Sequence, residues 1–286
     1  MIIKSFIKSK SNINNLRRYN PTRISHTKLY STEPLNGIEI GIPLNIFSNI
    51  YTHLHYGYDI TSIKIILLQF LIGYYTYGKD RYNDAIQSNN NNIIVKEKKK
   101  KLYEDINQNK DLYSNTINLS LLCIISILLV DENYLKNIPF IFLLLTTEYY
   151  TQIKENIGII KPFYIGIMWT ISTLILPCVI QDDNYSILNY PLDYLPEILI
   201  LFATSNLADI DDIEEDKNNN IQTIPVKYGK EKSLMITMLA LSMSSLLFGI
   251  NPHYIERPII NSIVEIQNIL ISFFAYKNYK DELNKN

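Results

Sequence analysis

Apolar residues along this chain are gathered into blocks, as in Ile117 to Val130, and Asn, Lys and Asp fill the stretches between. A bilayer core about 30 Å thick needs roughly 17 to 25 helical residues to cross it. Reading the blocks at that length predicts seven spans, near 60–77, 115–131, 137–152, 162–180, 194–208, 233–250 and 259–276. Glu148 and Glu265 fall inside two of them, which a bundle tolerates when the polar group faces protein. Residues 38–56 offer an eighth helix, interrupted by Gly41 and Pro43. The expected fold is all-α, a polytopic transmembrane helical bundle.

Threading the seven spans alternately puts segments 78–111, 153–161, 209–232 and 277–286 on one side, with 17 Lys or Arg between them. The opposite segments, 132–136, 181–193 and 251–258, hold only Lys136 and Arg257. Basic loops are the retained ones, so the first side should face cytoplasm, matrix or stroma. The averages alone, 47% hydrophobic and 19% charged residues, would also suit a soluble protein, so the clustering decides. A net charge of -1 and a pI near 6.4 give no basic face for phosphate backbones, and nucleic acid is not an expected partner. Cys123 and Cys178 both lie in apolar blocks, with no disulfide or zinc spacing, and His26, His53, His55 and His253 are scattered. Residues 1–32 carry seven Lys or Arg and no acid before Glu33, the chemistry of an organelle transit peptide or a basic tail. The expected organisation is a presequence over 1–34, a membrane domain over 35–280 and a tail over 281–286, with membrane lipid around the domain.

Two acidic clusters fall at span ends on the basic side. In the first, Asp80 and Asp84 stand about 40° apart around a helix and share a face, with Arg81 and Lys79 beside them. In the second, Asn206, Asp209, Asp212 and Asp216 fall within one polar stripe, followed by Lys217. Facing carboxylate stripes repel unless cations separate them. Mg²⁺ suits the gap, because it takes one or two carboxylates, keeps waters and accepts the rest of its oxygens from a substrate's phosphates. Plain solvated helix ends are the simpler reading of either cluster alone. A calcium loop lacks its central Gly and spaced acids in 209–220. A transporter relay would place acids near the membrane midplane, not at span ends.

The stretch Asp209-Ile-Asp-Asp-Ile-Glu-Glu-Asp-Lys, continued by Ile221-Gln-Thr-Ile-Pro-Val and Tyr228-Gly229, resembles the second acidic motif of the UbiA superfamily of intramembrane prenyltransferases. Asp80-Arg81-Tyr82-Asn83-Asp84 is similar to the end of the family's first motif, with Thr76 and Tyr77 where the family has Asn-Asp. Ala208 likewise stands where an Asn usually precedes the second motif. Tyr150 and Lys154, then Pro162, Gly166 and Trp169, resemble the family's Tyr-x-x-x-Lys segment and the helix after it.

The resemblance covers 60–276 and implies a bundle of seven to nine helices. It implies Mg²⁺ on Asp80, Asp84, Asp209, Asp212 and Asp216, with Arg81, Lys154 and Tyr150 at an isoprenoid diphosphate and Asn206 and Lys217 beside it. The activity implied is prenyl transfer to a hydrophobic acceptor, with a quinone-type aromatic ring ranked first, in a mitochondrial inner or plastid membrane with the acidic motifs facing matrix or stroma. The altered first motif leaves a second reading, a catalytically weakened relative that binds a prenyl lipid or serves as a structural membrane protein.

Overall fold

The computed structural model describes residues 62–91, 97–130, 134–181, 193–251 and 258–283. The possible presequence, the possible helix over 38–56 and His53 and His55 lie outside them. The described residues are helical throughout, with no strand.

A helix stands at each of the seven expected places. These are α1 (Ile63–Asn91), α3 (Lys110–Leu129), α4 (Tyr134–Ile157), α5 (Gly158–Gln181), α6 (Leu195–Asp211), α9 (Lys230–Ile250) and α10 (Pro258–Leu283). Three of them, α3, α5 and α9, are long and apolar enough to cross a membrane, and Tyr134–Thr147 of α4 is a shorter apolar stretch. Between the long helices lie α2 (Glu97–Gln108), α7 (Ile213–Asn218) and α8 (Ile224–Tyr228).

Large apolar side chains lie on the outside as well as in the core, and polar ones are buried among the helices. Leu119, Leu122, Leu239, Leu246, Ile269 and Phe273 are exposed, while Gln69, Ser120, Asn137, Asn206, Ser233, Thr237 and Ser244 are buried. In hydrocarbon an apolar exterior has no penalty, and polar groups turn inward to find partners. The core follows helical spacing: Ile65, Leu68, Ile72 and Tyr75 of α1 are buried one after another along one face.

Polar bonds then join the helices. Asn206 of α6 donates to the Ser233 carbonyl (3.0 Å) and the Thr237 hydroxyl (2.9 Å) of α9, and accepts from the Ser233 hydroxyl (3.1 Å). Gln69 of α1 donates at 2.6 Å to the carbonyl of Ser172, inside a π-helical turn of α5 over Ile171–Ile175. That turn lies just before Pro177, which has no N–H to continue the α-helical ladder. Asn251 at the end of α9 donates to Asp193, before α6, at 2.7 Å.

The segment expected as a loop over 78–111 is mostly helix. α1 runs on to Asn91, and α2 packs Tyr103 and Ile106 against Ala85. Four Lys in 98–101 mask the apolar spacing of Leu102, Tyr103 and Ile106 when the segment is read by composition.

Gly166 lets α5 and α6 approach, since a Cβ there would lie 2.8 Å from the Ile198 carbonyl oxygen. Gly166→Val should therefore lower the thermal midpoint in detergent, at a cost of about 1–3 kcal/mol for overpacking. Gly249→Ala, where nothing lies within 4 Å of an added Cβ, should leave it unchanged. Equal midpoints for the two variants would refute this close approach.

Candidate functional site

Lys161 opens the α-helical part of α5, and Asp209 sits in the last turn of α6. The Lys161 ammonium donates to Asp209 Oδ1 at 2.6 Å, with both side chains largely shielded from solvent. Asp209 Oδ2 is buried and has no hydrogen-bond partner. The same ammonium is within electrostatic reach of Asp216 and of Asp80 on α1. Lys161 thus pairs directly with the second acidic segment and lies in the field of the first, and it was not among the expected site residues.

The second motif is not one continuous stripe. The backbone leaves helical geometry at Asp212 (φ -101°, ψ 7°), between α6 and α7. The break separates Asp216 from the register of α6 but leaves it electrostatically coupled to Asp209 and Asp212. Asp216 is fixed from the other side, where the Thr223 hydroxyl donates to its Oδ2 at 3.1 Å and the Ile221 N–H donates to its carbonyl at 2.8 Å. Gly158 makes room for that loop: its φ is +25°, and a Cβ there would meet the Gln222 carbonyl oxygen at 2.5 Å. Pro225 starts α8, and Gly229, at φ +84°, turns the chain into α9. The residues that follow the second acidic cluster are therefore the ones that hold it in place.

On α1, Arg81 is hydrogen-bonded to Tyr103 and lies in the field of Asp80 and Asp84. The Tyr103 hydroxyl reaches Asp84 Oδ2 at 3.4 Å. Burial, and after it the Asp84 carboxylate, push the Tyr103 hydroxyl above the usual phenol range. Lys99 of α2 spans to both oxygens of Glu215 on α7 at 3.1 Å, tying α2, whose Tyr103 meets Asp84, to the second acidic segment. Neither Tyr103 nor the Lys99–Glu215 pair was among the expected site residues.

The other expected site residues have partners of their own or lie outside the described residues. Both polar atoms of the Asn206 amide are engaged by α9, as described above. Tyr150 stacks on Tyr164 of α5 with ring centroids 5.5 Å apart. Lys217 is exposed and lies 4.0 Å from Glu214. The Lys154 side chain lies outside the described residues. Of the two positions that depart from the first motif, Tyr77 stacks on Trp169 at 5.5 Å, and the Thr76 hydroxyl donates to the Ile72 carbonyl of its own helix.

Among the described residues no group of three or more His, Cys, Asp or Glu is arranged to hold a metal unaided. The donors present nonetheless fit Mg²⁺ shared with a phosphate, because such an ion needs only one or two carboxylates from protein. Asp209 offers a hard oxygen with no hydrogen-bond partner, and Asp216 stands in its field. A shallow, open groove lies elsewhere, between α9 and α10, lined by Ser245, Asn268 and Phe273 among others, and contains none of these carboxylates. No protein-family model matches the chain, and no curated protein or solved structure is significantly similar to it.

Burial raises the Asp216 carboxyl from its usual 3.8 to about 6, more than the Lys161 charge lowers it. The folded state therefore binds the extra proton between those two values, and its stability falls as pH rises through that window. Asp216→Asn should gain in thermal midpoint over the wild type between about pH 4 and pH 6 and hold that gain above it. A difference that stays flat with pH would contradict the burial of a charged Asp216.

Proposed function

We propose that this chain is a Mg²⁺-dependent intramembrane prenyltransferase of the UbiA type. It moves a prenyl group from an isoprenoid diphosphate to a hydrophobic acceptor, of which a quinone-type aromatic ring is the leading class. One observation carries the reading: the buried Lys161–Asp209 pair leaves an Asp209 oxygen without a hydrogen-bond partner, in the field of Asp216 and of Asp80 on α1.

In this reading the long helices all cross the bilayer, and the bundle holds seven to nine. The acidic end faces the matrix of mitochondria or the stroma of plastids, with the basic loops. Bound Mg²⁺ would supply neutralisation of the negative charge that develops on the departing diphosphate. Asp209 and Asp216, with Asp212, Asp80 and Asp84 nearby, hold that charge in place. Lys161 and Arg81 add fixed positive charge on the same side. Tyr77 and Trp169, stacked across α1 and α5, stand about one and two turns inside Asp80 and Lys161 and offer an aromatic surface to an allylic cation. The apolar helices exclude water from that cation until the acceptor captures it. No protein nucleophile is required.

A weakened relative that binds a prenyl lipid without turning it over is favoured by one feature. Tyr77, in the place of a family carboxylate, is engaged in ring stacking, so α1 brings one acid fewer.

Purified protein should bind geranyl or geranylgeranyl diphosphate saturably with Mg²⁺, lose it with EDTA and release diphosphate slowly. Asp209→Asn and Asp212→Asn should weaken that binding by about tenfold or more, as loss of a metal-site group does, with the helical far-ultraviolet signal intact. Binding without release would select the weakened relative. Absence of binding, or unchanged binding in both variants, would overturn the site.

A further inference from the structure

Lys161 is a poor choice of residue by every local rule. It lies near the start of α5, directly after the 3-10 turn Gly158–Ile160, where the backbone dipole disfavours positive charge. It is largely buried, and ammonium groups are costly to take out of water unless they are paired. Its partner Asp209 is itself only half satisfied, since Oδ1 accepts from Lys161 and Oδ2 from nothing. Asp216 and Asp80 act on the same ammonium through their fields, while Asp209 alone is in direct contact with it.

A single positive charge placed where several carboxylates converge occupies the position that a divalent cation would take. We propose that Lys161 is a resident stand-in for that cation: it holds the carboxylates of α1 and of α6–α7 together before metal arrives, yields Asp209 to the incoming ion, and then pairs with the diphosphate. This rests on the diphosphate-site reading above. Its consequence is ordered loading. Metal alone must displace the ammonium from Asp209, whereas metal arriving with diphosphate gives the ammonium a new anion.

The test is Mn²⁺ binding to the full chain in detergent, followed by loss of the free-ion EPR signal, for wild type, Lys161→Met and Lys161→Arg, with and without inorganic diphosphate. The wild type should bind Mn²⁺ weakly alone and about tenfold or more tighter with diphosphate. Lys161→Met should bind Mn²⁺ alone about tenfold or more tighter than wild type, since the competing charge is gone. Its gain from diphosphate should shrink, and Lys161→Arg should behave as wild type. Equal metal-only affinity in wild type and Lys161→Met, with diphosphate-dependent binding intact, would reduce Lys161 to a structural ion pair and overturn the inference alone. No Mn²⁺ binding by either protein, even with diphosphate, would overturn the diphosphate site and the inference together. A second measurement needs no variant. The reactivity of Lys161 toward an amine reagent, followed by mass spectrometry in the wild type, should rise with Mg²⁺ and fall when inorganic diphosphate is added. Constant reactivity while metal binds would refute displacement.

Discussion

The 2.6 Å pair between Lys161 and Asp209 is the constraint to which the acidic end of this bundle is referred. It joins the start of α5 to the end of α6, next to the close approach that Gly166 allows. It also sets one positive charge among carboxylates that would otherwise repel, including Asp80 from α1. Around it the loop from Ile221 to Thr223 fixes Asp216, and Gly158 gives that loop room. Together with Arg81 on α1 and Lys99 on α2, Lys161 offsets repulsion among the acids of α1, α6 and α7.

Away from that end, the helices are joined by hydrogen bonds of amides and hydroxyls, one of them to the Asp193 carboxylate. Asn206 with Ser233 and Thr237, Gln69 with the π-turn of α5, and Asn251 with Asp193 each link two segments. Such bonds are directional where apolar packing is not, and in an apolar surround they fix which helix faces which.

How much of this could be read from the sequence depends on the signal. Helix placement was legible because apolar block length is a property of local composition, and a helix stands at each of the seven expected positions. The extension of α1 and the whole of α2 were not, because the Lys run from 98 to 101 hides an apolar face only two or three residues wide. Asp209 and Asp216 were legible as a spaced pair, but the ideal helical stripe through them ignored the break at Asp212. Asn206 shared that stripe on paper, yet its amide is engaged by α9, since angular position alone does not tell which neighbour a face meets. Lys161 left a signal that could have been weighed: a Lys directly before Pro162, at the start of an apolar run, where a helix favours acids.

The account makes the acidic end one site built from two distant parts of the chain. The most direct test is a structure with Mn²⁺ and a non-hydrolysable geranylgeranyl diphosphate analogue, with the metal located by its anomalous scattering. The account predicts metal at Asp209 and Asp216 on the side of α1 that carries Asp80 and Asp84, with diphosphate on it and the prenyl chain running inward past Tyr77 and Trp169. Metal and diphosphate bound away from these carboxylates, or a prenyl chain lodged in the groove between α9 and α10 instead, would contradict it.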